Sequence, residues 1–158
     1  MPELPEVETT IKGLKPLIGT FITNIQIHTP KLRFLIPQNI IKIGTNIKIL
    51  NIMRRAKYII FYLSNNYSLI IHLGMSGRLC LFKTNKYMIK KHDHFVLKTN
   101  KEHLLVFNDP RRFGFIDYDQ TPNILKRQYI LTLGIEALDP KLNTKYLFDK
   151  IGKKKVPI

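Results

Sequence analysis

Cysteine and acidic residues are both scarce in this chain. Cys80 is the lone thiol, which excludes an internal disulfide framework and suits a reducing compartment. It reads as an ordinary strand residue with no further role. No apolar run approaches the ~18 residues of a membrane-crossing helix, and no basic amphipathic helix marks a membrane surface binder. The N-terminus has neither the basic nor the apolar region of a secretory signal, so a cytoplasmic location is expected. Internal repeats and low-complexity segments are also missing. Against 26 Lys+Arg stand only 11 Asp+Glu, a net charge of +15. That imbalance calls for a polyanionic partner, with nucleic acid the first candidate. The 158 residues, 44% of them hydrophobic, are enough for one domain with a real core.

Scarce as acid is, Glu3, Glu6 and Glu8 all fall within Met1-Pro2-Glu3-Leu4-Pro5-Glu6-Val7-Glu8. Carboxylates there oppose affinity for an acidic partner, which chemistry requires and solvation alone explains poorly. Once Met1 is removed, as the small Pro2 should permit, Pro2 presents a secondary amine with a pKa near ~8. Attack on an aldehyde-level carbon would give an iminium, by the logic of a lysine Schiff base without a buried lysine. Glu3, one residue away, is placed to exchange protons with a leaving group or sugar oxygen. Pro5 suits the first turn of a helix. Leu4, Val7, Ile11 and Leu14 recur on one helical face, while Glu3 and Glu6 neighbour each other on another side. The plainer alternative is that these acids cap a surface helix, where the dipole favours negative charge.

After Pro16 and Gly19 break the helical pattern, short β-type runs dominate. Strands are expected at Thr20–His28, Lys31–Ile36, Asn46–Met53, Tyr58–Leu63, Tyr67–Leu73, Arg78–Phe82, His94–Lys98, Leu104–Phe107 and Phe115–Tyr118. Ser64-Asn65-Asn66 reads as a hairpin turn, and Lys98-Thr99-Asn100-Lys101 as another. A helix is expected over Asn123–Tyr129. Gly134 and Pro140 mark a linker, and Thr144 is a cap for a last helix carrying Leu147, Phe148 and Ile151. Many short strands and few helices argue for a β-sandwich or barrel.

Five blocks stand out along the chain: MPELPEVETT at the start, RRAKY from Arg54 to Tyr58, HLGMSG from His72 to Gly77, KHDH from Lys91 to His94, and NDPRRFG from Asn108 to Gly114. In this order they resemble the formamidopyrimidine-DNA glycosylase family, and they cover nearly the whole chain. The resemblance implies a mainly β, α+β fold: a two-layer β-sandwich with an N-terminal helix and flanking helices. It implies a catalytic domain over residues 1–133, with 134–158 as linker and the start of a helical DNA-binding domain. The family's helix–two-turn–helix and four-cysteine zinc finger are expected to be absent, so no cofactor is expected and the second elimination step should be impaired.

The activity implied is that of a bifunctional glycosylase and abasic-site lyase acting on oxidised purines such as 8-oxoguanine and formamidopyrimidines. The implied partner is double-stranded DNA containing those lesions or abasic sites, met by a monomer in the cytoplasm at the nucleoid. By the same resemblance Pro2 is the nucleophile, Glu3 the general acid–base, and Glu6 lines the pocket of the extruded base. Lys57 is the second proton-handling group, and its neighbours Arg54 and Arg55 are of the charge that lowers a lysine pKa. Met75, Arg111 and Phe113 fill the void left in the duplex; His72, His92, Arg111 and Lys154 contact DNA.

Each assignment has a plainer counterpart in the residues alone. Lys57 with Arg54 and Arg55 could be a phosphate-binding basic cluster. Met75 and Phe113 could be core residues, although Arg111-Arg112 beside Phe113 argues against deep burial. His92-Asp93-His94 could hold a metal, though alternate strand residues lack further ligands. Lys153-Lys154-Lys155 could be a solvated basic run. Two other functions compete: a DNA-binding remnant without turnover, and a basic RNA-binding β-domain that would stack single-stranded bases. The last gives no reason for Glu3 and Glu6 beside Pro2.

Overall fold

A computed structural model describes residues 2–152. Its body is two four-stranded antiparallel sheets packed face to face, in strand orders β1-β6-β7-β5 and β2-β3-β4-β8. The strands are β1 (Ile22–Ile27), β2 (Ile49–Arg55), β3 (Tyr58–Leu63), β4 (Tyr67–His72), β5 (Arg78–Lys83), β6 (Asp93–Thr99), β7 (His103–Asn108) and β8 (Phe115–Gln120). The expected two-layer sandwich is therefore the fold, with α1 (Leu4–Leu14), α2 (Asn39–Ile43), α3 (Thr121–Leu125), α4 (Gln128–Leu131) and α5 (Thr144–Ile151) around it.

The inner faces meet through alternate residues of each strand, as strand periodicity requires. Phe95, Leu97, Leu105 and Phe107 of one sheet share a core with Ile59, Phe61, Leu69 and Ile71 of the other. Phe61, Phe95 and Phe107 are fully buried there, each the kind of side chain whose truncation costs about 3–5 kcal/mol. Helix α1 buries Val7, Ile11 and Leu14 in the same core, packing against β2, β3 and β5. Leu4, expected on that face, is only half-buried because it opens the helix.

β3 and β4 read as unbroken apolar runs because both of their faces are covered. Ile60 and Ile70 point outward, where Phe115, Ile124 and Ile130 bury them. That second cluster explains why the helix expected at Asn123–Tyr129 is broken. Ile124 and Ile130 are six residues apart, which on one continuous helix puts them about 240° apart around the axis. Both must face the sheet, so the chain straightens at Arg127 (φ −59°, ψ 138°) and restarts as α4.

Three further expectations are corrected. Lys31–Ile36 is no strand but a tight loop with a single bridge between Lys31 and Leu35. It lies against the second sheet instead, where the Arg33 N–H donates to the Gly114 carbonyl at 3.1 Å. The last helix is capped by Asn143, whose side chain accepts the Tyr146 N–H at 2.9 Å, not by Thr144. The turn after β6 falls at residues 100–102, with Glu102 in the left-handed region at φ 58°.

Candidate functional site

Strand register brings the predicted residues to one end of the sandwich. Arg55 pairs with Tyr58, Tyr58 with His72, and His72 with Phe115 across the second sheet. On the first sheet Asn108 pairs with both Arg78 and Asp93 at the same end. Two loops cross between the sheets here: residues 73–77 join β4 to β5, and residues 109–114 join β7 to β8. Met75 rides on one and Arg111 and Phe113 on the other. Topology, not proximity in sequence, makes them neighbours.

A buried carboxylate ties the two loops together. Asp109 is inaccessible to solvent; one of its oxygens accepts the Ser76 hydroxyl at 2.6 Å and the other the Gly114 N–H at 2.8 Å. Ser76 Oγ in turn accepts the Arg111 N–H at 3.3 Å. The loops touch backbone to backbone at Gly74, which sits at φ +65°; a Cβ there would lie 2.4 Å from Gly114 N. Only glycine tolerates both the conformation and the approach. Held this way, Met75 and Phe113 stay 43% and 44% exposed. They are therefore not the core residues that the plainer reading of their sequence allowed. The Arg111 guanidinium lies 4.8 Å from the Phe113 ring centroid, a cation–π contact that stiffens an exposed pair.

Beneath the loops lies the N-terminus of α1. Pro2 and Glu6 line a cleft of about 810 Å³ together with Met75, Arg78 and Asn108, a volume ample for a nucleobase. The Glu6 carboxylate accepts the Glu3 N–H at 3.1 Å, which fixes the first helical turn. Glu3 sends its own carboxylate to Lys57 Nζ at 2.7 Å. Lys57 occupies the two-residue turn between β2 and β3, beside Ala56 at φ 49°. Arg54 and Arg55 turn away from Lys57: Arg54 bonds Glu8 at 2.9 Å, and both arginines bond Glu136. The basic triplet thus divides, with two cations neutralised structurally and one directed to Glu3.

His72 borders a second cavity of about 440 Å³ with Arg33, Gly74, Met75 and Phe113. Met75 belongs to the rims of both cavities. The His72 Nδ1 accepts the Gly74 N–H at 3.1 Å, so Nε2 carries the proton and faces outward as a donor. Burial, reinforced by the charges of Arg33 and Lys57, holds His72 below its ordinary pKa of 6.5. The unfolded chain then takes up this proton more readily than the folded one. The stabilising contribution is complete above pH 6.5 and is lost as pH falls through that value toward the folded pKa. Urea midpoints should show the margin between wild type and His72→Asn narrowing from neutral pH into the acid range. A constant margin would mean that His72 titrates as it does in the unfolded chain.

His92 is half-buried at the entry to β6, while Asp93 and His94 turn inward. His94 meets Thr29 Oγ1 at 2.8 Å and the Asp109 carbonyl at 2.8 Å. Asp93 accepts the Tyr87 hydroxyl, the Lys90 N–H and the Asn108 amide. With these atoms already partnered, the triplet makes no ligand set, and no cluster of metal-binding side chains occurs among the described residues. Lys154 lies outside the described residues. No helix among them is long and apolar enough to cross a membrane.

Sequence reasoning passed over Asp109, Ser76 and Arg33, although the first two lie inside the noted blocks. A carboxylate directly before proline is a turn signal, but its burial is a tertiary fact. Glu136 was also missed, since nothing near it in the chain points back to Arg54.

The family model described as formamidopyrimidine-DNA glycosylase N-terminal domain matches residues 1–116. Formamidopyrimidine-DNA glycosylase of Rickettsia conorii is 44% identical over 159 aligned residues, covering 100% of this chain and 58% of the relative. That of Rickettsia bellii is 43% identical with the same coverage. The chain thus spans little more than half the length of the curated relatives it matches. Among solved structures, the Lactococcus lactis Fpg complex with abasic-site-containing DNA aligns with a TM-score of 0.72 at 33% identity, covering 82% of this chain and 48% of that one. The complex of the same protein with N7-benzyl-Fapy-dG DNA has a TM-score of 0.72 at 34% identity, covering 82% and 47%. With its family model matched over most of its length and its fold shared at this level of identity, the chain belongs to the formamidopyrimidine-DNA glycosylase family.

Proposed function

We propose that this chain is the catalytic part of a DNA-repair glycosylase and abasic-site lyase that removes oxidised purines, 8-oxoguanine and formamidopyrimidines, from duplex DNA. The observation carrying the reading is that Pro2 and Glu6 share one cleft while Glu3, between them in sequence, pairs with Lys57 at 2.7 Å. With Met1 removed, the Pro2 nitrogen attacks the deoxyribose C1′ as the bond to the base breaks and the base leaves with that electron pair. Glu3 supplies the proton that the departing base or the sugar ring oxygen needs. Ring opening leaves an iminium between Pro2 and C1′, which acidifies the C2′ proton. Its removal, with Lys57 as the second proton-handling group, expels the 3′ phosphate.

Extruding a base costs a few kcal/mol, and Met75, Arg111 and Phe113 are the side chains to fill the gap. Two are apolar wedges, and Arg111 can hydrogen-bond the base left without a partner. Glu6 then lines the pocket of the extruded base. His72, with its outward Nε2–H, and His92 would contact phosphates, which fixes register without reading sequence. The reading takes the chain to act as a monomer on chromosomal DNA in the cytoplasm. It puts the catalytic domain at residues 1–133, with residues 134–158 leading into a DNA-binding domain.

Intact-mass measurement after borohydride treatment with abasic-site duplex tests the proposal. A covalent adduct is expected with the wild type and a much weaker one with Pro2→Gly. Binding without an adduct would reduce the chain to a DNA-binding module. A protein retaining Met1 should form none, because its Pro2 nitrogen is an amide.

A further inference from the structure

Residues 133–139 follow α4 as a connecting segment, yet Glu136 within it is anchored more firmly than most surface side chains. Its Oε1 accepts the Ala56 N–H at 2.6 Å and the Arg55 guanidinium at 2.8 Å, and its Oε2 accepts Arg54. The Arg55 guanidinium also donates to the Gly134 carbonyl at 2.7 Å, and Arg54 to the Ala56 carbonyl at 3.2 Å. One carboxylate, 25% exposed, therefore receives three donors from the β2–β3 turn some 80 residues earlier in the chain. Burial disfavours its ionisation, but the Ala56 N–H and the two guanidiniums more than offset this and hold its pKa down to about 2. Charge-assisted bonds of this kind are the stronger class.

The turn they grip is an unusual one. Ala56 is a non-glycine residue in the left-handed region at φ 49°, a conformation that persists only where surrounding contacts enforce it. Lys57 is the next residue, and the direction of its side chain toward Glu3 depends on that backbone. Glu8 approaches the same arginine from α1 at 2.9 Å, so Arg54 joins the connecting segment to the helix that starts at the proposed nucleophile.

We propose that Glu136 is a positioning residue: by fixing the Arg54-Arg55-Ala56 turn it aims Lys57 at Glu3, and through Arg54 it makes the set of the connecting segment felt at the proposed catalytic residues. The effect on turnover rests on the function proposed above, whereas the clamp itself does not. Glutamine at this position keeps the size but offers a single acceptor oxygen and turns an N–H₂ toward a guanidinium.

Two measurements on Glu136→Gln test it. Amide exchange by mass spectrometry, on peptides spanning residues 54–60, should speed up by about tenfold at the turn, while the core strands keep their protection. The single-turnover rate of borohydride trapping on abasic DNA should fall by about tenfold, the order expected from a sub-ångström misplacement of a reacting group, with the Kd for duplex carrying a tetrahydrofuran site changed less than twofold. Glu136→Asp should recover part of both. Wild-type exchange at the turn together with a wild-type trapping rate would overturn the proposal, as would a rate loss matched by an equal loss of DNA affinity. If the wild-type chain forms no adduct at all, the lyase reading falls, and the exchange measurement alone still decides whether Glu136 holds the turn.

Discussion

In Glu3→Gln, release of an oxidised purine from duplex DNA is expected to fall by about 10²–10⁴-fold, the usual loss when a general acid–base is removed, while the fold stays intact. Glu3 is half-exposed (53%), and its carboxylate pairs with Lys57 Nζ at 2.7 Å. An exposed ion pair contributes about 0–1 kcal/mol, so stability should hardly move. The contact that fixes the first turn of α1 also survives, because it runs from the Glu3 backbone N–H to the Glu6 carboxylate. What glutamine removes is the proton. Single-turnover release of the base reads the effect, and trapping on a pre-formed abasic site supplies the contrast. Base departure is already complete there, so trapping should suffer less than excision. Excision within tenfold of the wild type would take the acid–base role from Glu3, whatever happened to the adduct.

Asp109→Ala is expected to act in the opposite way, on the scaffold first and on chemistry as a result. The substitution strips a fully buried carboxylate from the Ser76 hydroxyl and the Gly114 N–H. The Gly114 N–H would be left facing protein interior, while the half-buried Ser76 hydroxyl borders the cleft, and such a loss costs about 1–3 kcal/mol. Against a typical total of about 5–15 kcal/mol, this moves the urea midpoint substantially. The more specific consequence lies in the two loops. With their shared anchor gone, the arms carrying Met75 and Phe113 should part, and trypsin should cut more readily after Arg111 and Arg112. Asp109→Asn, which keeps one acceptor oxygen, should fall between the two. A destabilisation below about 1 kcal/mol with unchanged proteolysis would show that the Gly74 approach and the Ser76–Arg111 bond join the loops without Asp109.

Much of the fold can be read in the order of residues, and the reasons are local. Alternation at Thr20–His28 and the apolar runs at Tyr58–Leu63 and Tyr67–Leu73 each carry their own strand signal, and β1, β3 and β4 follow within a few residues of those bounds. Pro5 followed by Val7, Ile11 and Leu14 makes α1 legible for the same reason. The errors are local signals overridden from elsewhere. KLRFLI has strand composition, but no neighbouring strand offers it a ladder, and its backbone settles on Gly114. The run after Pro122 has helix composition, yet two isoleucines compete for one sheet face and the helix breaks. Five-residue α2, Asn39–Ile43, went unread because so short a helix has no period to see; its one buried anchor is Ile40.

Of the candidate site, the sequence by itself determined the chemistry available: a proline that would become an imino terminus on loss of Met1, carboxylates crowded beside it, a lysine in a basic triplet, and two glycine-flanked blocks bearing Met75 and Phe113. Only the tertiary structure decided which of these groups meet. It split Arg54 and Arg55 from Lys57, sank Asp109 between two loops, and drew Glu136 onto a turn 80 residues away. The physical reason is that residue type and spacing set what a side chain can do, whereas ion pairs and buried hydrogen bonds form between elements whose neighbours are chosen by strand register. That register is a property of the packed sheets, and no stretch of the chain contains it alone.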